Sequence, residues 1–389
     1  MKKYSFLVMA LALLILLGAA NTAQAVEVVK SIPINAVSTI AYDSYKEAIW
    51  VTTATPYVNE MGMHVSELDN TVTAISDSNY EILTTVAVGK SPSDIAYDSA
   101  LNEIWVTNQR SGTISIISDN TNTVVATIDV GNVGPFRVVY DSGKGEMFVN
   151  DASGVIYVIS DRSRQVVATI PLGKNPYPGI LIYDSGKGEI FVGYASLPGQ
   201  NPADFISVIS DSTNSVIATI PLGGNTVTSG VYDPRTNKLY MTNLDNGSII
   251  VVSDETNSVV NSIPTGGFPL GIGYDSNKGV LFVRSSENTT SIVSDKTETV
   301  IDTVPISCIT MVYDPERSVM FVLGNESIQV VSDASLPSVS SNPTPSPTNT
   351  MASPTPTVPE FPATLAITLL AITALAVAVV IRKKHSEES

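Results

Sequence analysis

The dipeptide Tyr-Asp occurs seven times in this chain, with its Asp at positions 43, 98, 141, 184, 233, 275 and 314. Seven residues after each Asp stands an aromatic: Trp50, Trp105, Phe148, Phe191, Tyr240, Phe282 and Phe321. A second marker, a Ser-Asp that closes an apolar run such as "TISIISD", recurs seven times, with its Asp at 77, 119, 161, 211, 254, 295 and 333. All but the last lead, after a few polar residues, into runs such as "TVVATIDV" and "SVIATIPL". One unit is therefore four short β-runs, A to D, rich in Val, Ile, Thr and aromatics and separated by Gly, Asn, Asp, Ser and Pro. Four strands per unit, with Tyr-Asp spaced 39 to 55 residues apart, is the period of a propeller blade.

Closure separates a propeller from an open stack of hairpins. The seventh unit has A ("CITMVYD"), B ("RSVMFVLG") and C ("SIQVVSD") but no D. An unassigned run, Glu27 to Ile34 ("EVVKSIPI"), precedes the first A strand and matches the D pattern. The expectation is an all-β, seven-bladed propeller over 26–333, whose N-terminal strand (27–34) closes the last blade and removes a free sheet edge.

The seven Tyr and the B-strand aromatics recur at equivalent positions, so they read as packing between blades; a ligand platform is the sharper alternative. Both kinds of Asp precede tight turns, where an Asx side chain can accept backbone N–H groups. A ring of calcium sites is the alternative there, although the turns lack the dense alternating carboxylates of a calcium loop. "IWVTN" (Ile104–Asn108), "LYMTN" (Leu239–Asn243) and "TVVATIDVG" (Thr123–Gly131) resemble the YVTN-type β-propeller repeat of archaeal surface-layer proteins. That resemblance implies a seven-bladed propeller exposed at a cell surface and says little about ligand.

The chain ends fit such a location. Lys2 and Lys3, an apolar run from Phe6 to Leu17 and Ala23-Gln24-Ala25 read as a signal peptide over 1–25. Residues 334–359 hold seven Pro, eleven Ser or Thr and no charge, and read as an extended stalk. Ala363 to Ile381 is an uncharged run of 19 residues followed by Arg382, Lys383 and Lys384. Residues 360–382 are therefore read as a transmembrane or sorting segment, with a basic cytoplasmic tail at 383–389. "PEFP" (Pro359–Pro362) resembles the PEF-type sorting signal of archaeal surface proteins, which implies processing near 359–362. The formal charge of −16 argues against nucleic acid as partner. The lone cysteine, Cys308, opens an apolar stretch and reads as a buried thiol.

Spacing also locates variation. The C–D–A part of each unit is nearly constant, and the excess length lies between B and C, in Ala54–Asn70 of blade one and Ala195–Asp204 of blade four. B–C and D–A connections emerge on one face of a propeller; A–B and C–D turns emerge on the other. Function concentrates in irregular loops on a rigid scaffold, so the expected ligand face carries His64, Lys90, Arg110, Lys174, Tyr177, Phe268 and Arg284. Sequons at Asn246, Asn288 and Asn325 fall in predicted B–C turns and mark glycosylation candidates. No zinc, haem, P-loop or nucleophile-elbow motif appears, and no cofactor is implied. A Ser-His-Asp triad would have to use His64. The sequence therefore reads as a membrane-anchored envelope or adhesion protein that binds an extracellular protein or glycan. An extracellular propeller hydrolase or lactonase, calcium-assisted, is the competing reading.

Overall fold

In the computed structural model, the described residues run from 26 to 336, excluding 35–37, 59–63, 132–133, 173–177, 195–203, 287 and 325–326. The predicted signal peptide and the transmembrane or sorting segment lie outside them, as does the stalk beyond 336. No helix among the described residues is long and apolar enough to cross a membrane.

The chain forms seven antiparallel four-stranded sheets. Six are built from consecutive strands. In the seventh, Glu27–Pro33 pairs with Ser327–Ser332, ahead of Val319–Leu323 and Thr310–Asp314. The register is Glu27 opposite Ser332 and Pro33 opposite Ser327. The N-terminal strand is thus the outer strand of the last blade, and a seven-bladed propeller closes as expected. Every A–B turn is built alike. Asp43, Asp98, Asp141, Asp184, Asp233, Asp275 and Asp314 each accept one or two backbone N–H groups two and three residues on. Four residues after each Asp stands a residue with positive φ, between 52° and 70°.

The core lies between blades. Trp50, Trp105, Phe148, Phe191, Tyr240, Phe282 and Phe321 are all fully buried. Trp50 of blade one, for example, packs with Val72 and Ala74 of its own blade and with Ile95, Ile104 and Val106 of blade two. Cys308 is also fully buried, and burial pushes its thiol up to about 12, so it stays protonated and inert.

All seven outer strands carry a β-bulge at the same place. The unpaired residues are Val29, Leu83, Val125, Val167, Ile217, Val260 and Ile301. All of them are aliphatic and between 40% and 49% exposed.

Removing Glu27–Ile34 strips the outer strand from blade seven, takes away the buried Ile32 and leaves the Ser327–Ser332 edge and its buried Ile328 uncovered. The truncated chain should lose cooperative thermal unfolding. The milder Ile32→Ala should cost about 2–5 kcal/mol by denaturant titration; unchanged melting in both would contradict the closure.

Candidate functional site

The two faces of the ring differ in what their side chains are occupied with. On the turn face, five of the seven Tyr-Asp tyrosines reach the Ser-Asp carboxylate of their own blade, while Tyr97 donates to Asn102 (3.0 Å) and Tyr183 accepts from Gly143 N (3.3 Å). Tyr42 donates to Asp77 (3.3 Å), Tyr140 to Asp161 (3.4 Å), Tyr232 to Asp254 (3.0 Å), Tyr274 to Asp295 (3.1 Å) and Tyr313 to Asp333 (2.8 Å). The same hydroxyls face the Tyr-Asp carboxylate of the preceding blade: Asp314 for Tyr42, Asp98 for Tyr140, Asp184 for Tyr232, Asp233 for Tyr274 and Asp275 for Tyr313. Burial and these paired carboxylates hold the phenols far above their ordinary range, so they remain donors.

A cation from the preceding A–B turn completes most clasps. Lys46, Lys144 and Lys187 donate to the main-chain carbonyls of Asp119, Asp211 and Asp254. Arg235 pairs with Asp295, and Arg317 Nε lies 2.9 Å from Asp77 Oδ1. The repeated Tyr and Asp are therefore inter-blade fasteners. The Ser-Asp turns differ from expectation in one respect. Their turn caps are the Ser hydroxyls, with Ser76 accepting from Ser78 N, Ser160 from Ser163 N and Ser294 from Thr297 N. That leaves the Asp carboxylates free to meet the tyrosines.

On the loop face, the blade-one insertion is a strand extension rather than a loop. B (Ala48–Val58) and C (His64–Ser76) stay paired beyond the blade, from Ala54 opposite Leu68 to Val58 opposite His64. Those five extra pairs project a hairpin by roughly 16 Å. His64 is the first residue of its returning strand. At its base, Asn70 accepts from Ser91 N (3.4 Å), Lys90 N donates to Ser111 Oγ (2.6 Å), and Arg110 N donates to the Lys90 carbonyl (3.2 Å). The exposed Lys90 and Arg110 thus share one sector with the root of the His64 hairpin.

Phe268 and Arg284 form a second sector. Phe268 N donates to the Ser285 carbonyl (3.0 Å), and the ring is 68% exposed. The crossing needs Gly267: its φ is +63°, and a Cβ there would lie 1.6 Å from the Ser285 carbonyl oxygen. Lys174, Tyr177, Asn325 and most of the blade-four insertion lie outside the described residues. Asn246 and Asn288 are exposed, and the Asn246 amide donates to Asn225 (3.2 Å).

Arg284 also lines a cavity of about 450 Å³ where the channel opens on this face. Two lining residues were not singled out from the sequence, Asp94 and Arg137. Asp94 Oδ1 accepts from Thr39 Oγ1 (2.8 Å), and its Oδ2 accepts from Val138 N (3.1 Å). Arg137 lies 3.9 Å from Asp94 and donates from Nε to the Gly179 carbonyl (3.1 Å). A signal for them existed. Four residues before each Tyr-Asp Asp the chain reads Thr39, Asp94, Arg137, Ile180, Ser229, Gly271 and Thr310, and only two of these are charged. A further cavity, of about 500 Å³, opens at the turn face among Tyr183, Tyr232, Tyr274 and Tyr313. Among the described residues no group of three or more His, Cys, Asp or Glu side chains is placed to hold a metal ion.

Solved structures share this fold. A chain of Kuenenia stuttgartiensis hydrazine synthase superposes with a TM-score of 0.64 at 13% identity, over 77% of this chain and 96% of that one. At that identity the likeness is one of fold alone. No protein-family model and no curated protein matches the sequence.

The clasps make stability depend on pH. Burial raises Asp77 and Asp275 from 3.8 to about 6, with neighbouring carboxylates adding to the shift and, for Asp77, Arg317 opposing it. A raised folded-state pKa means the fold holds the proton more tightly than the unfolded chain. The stabilisation is complete below about 3.8 and lost as pH rises through about 6. The melting temperature should rise by several degrees from about pH 7.5 to about pH 5, and Asp275→Asn, a mimic of the neutral acid, should flatten that slope. A midpoint that falls on acidification over this range would refute the proton-sharing account.

Proposed function

We propose that this chain is a cell-surface recognition propeller, an envelope or adhesion component that binds an extracellular protein or glycan through its loop face. The observation carrying this reading is the division of labour between the faces. The repeated Tyr, Asp and aromatic residues are used up in blade-to-blade contacts, while the projecting hairpin, Phe268 and the charged cavity residues gather on the other face.

The YVTN-type and PEF-type resemblances, the leader-like N-terminus and the apolar run at 363–381 support anchoring on the outer face of a membrane.

Replacing Ala54–Asn70 by a two-residue turn should leave blade one paired, because the blade ladder resumes at Thr52 opposite Val72. The variant should melt close to the parent and lose most of the parent's adhesion to cells in a flow assay. Undiminished adhesion would remove the hairpin from the binding face. Turnover of a lactone or ester panel that disappears in a His64→Ala variant would replace recognition with hydrolysis as the activity.

A further inference from the structure

The channel mouth on the loop face has a chemistry of its own. Two arginines and one aspartate line it, a net of +1 in a chain of formal charge −16. The aspartate is already occupied, since Thr39, Val138 N and Arg137 surround the Asp94 carboxylate. Arg137 comes from blade three and Arg284 from blade six, so positive charge enters the cavity from well-separated sectors of the ring. Arg284 uses Nε on the Ser286 carbonyl (3.2 Å), and among the described residues no carboxylate forms an ion pair with it. Its remaining N–H groups form the planar fork that matches a carboxylate.

The rest of the lining narrows the ligand. Ser229 and Thr310 supply hydroxyls at the level of Asp94 and Arg137, and these make no hydrogen bond to another described side chain. Deeper in, Ile40, Ile272 and Met311 form an apolar floor. A volume of about 450 Å³ suits a molecule of one or two rings. A single negative charge balances the net +1, whereas a phosphate dianion would overshoot it. Hydroxyls around an apolar floor suit a ring with hydroxyl groups at its edge and C–H groups on its face.

We propose that the channel mouth binds a hydroxylated monocarboxylate of the acidic-sugar class, with its carboxylate on Arg284 and its ring over Ile272 and Met311. This rests on the recognition reading above and gives it a ligand chemistry. The acid can come as a free sugar or as the terminal unit of a glycan.

Calorimetric titration of the full-length chain with glucuronate, glucose and an oligosaccharide ending in glucuronate tests it. Glucuronate should bind, with glucose about tenfold or more weaker, a difference of about 1.4 kcal/mol. Arg284→Gln should weaken glucuronate about tenfold with an unchanged melting curve. Arg137→Gln should do the same, and Arg284→Gln decides alone if Arg137→Gln fails to fold. Binding of the oligosaccharide as well as the free acid supports a glycan-terminal source; binding of the free acid alone supports a free sugar. Equal affinity for glucose, full glucuronate affinity in Arg284→Gln, or no glucuronate binding overturns the proposal. If the chain then still adheres to cells, only the pocket assignment falls; if it adheres to none, the recognition reading falls with it.

Discussion

The pairing of Glu27–Pro33 with Ser327–Ser332 is the constraint on which the rest depends. Six blades are made locally, each from a continuous stretch of chain. The seventh needs residues about three hundred positions apart in sequence to meet. Until they do, the inner strands have no ring to define a channel, and no first and last clasp can form. Arg317 of blade seven reaching Asp77 of blade one is the side-chain counterpart of that same joint.

The ring is held by more than apolar contact. Five of the seven interfaces place the hydroxyl of one blade's tyrosine between carboxylates from two blades, so neighbours are registered in height as well as in distance. Burying carboxylates in pairs is costly unless charge is neutralised. The turn cations Lys46, Lys144, Lys187, Arg235 and Arg317 offset part of that cost. Blade two has Leu101 where its neighbours carry a base, and its interface with blade three relies instead on Glu103 and Arg164, 2.6 Å apart.

The architecture was legible because propeller geometry repeats. A constant seven-residue offset from Asp to aromatic gave the A–B hairpin, and the missing final strand gave the closure. The binding face was legible only as a place. Lys90 and Arg110 do meet, and Phe268 meets Ser285 next to Arg284, but through backbone hydrogen bonds between loops that spacing alone does not reveal. Ala54–Asn70 looked like a loop because Pro56 and the acidic residues mask the β-forming Tyr57 and Val65, which pair across the extended ladder. Asp94 and Arg137 were hidden for the opposite reason. They sit within strands, at the register shifts between Pro92 and Asp94 and between Pro135 and Val138, where attention to loops passes over them.

The bulged outer strands bear on crowding. A sheet edge grows by lending its unpaired amides to another edge, and growth needs several residues in step. Here every outer edge has one residue out of step, and that residue is aliphatic. Copies brought side by side on a dense surface would touch through small greasy patches rather than through backbone. Such contacts slide and separate, so a carpet of these molecules would stay a population of individual rings rather than fuse into continuous sheet.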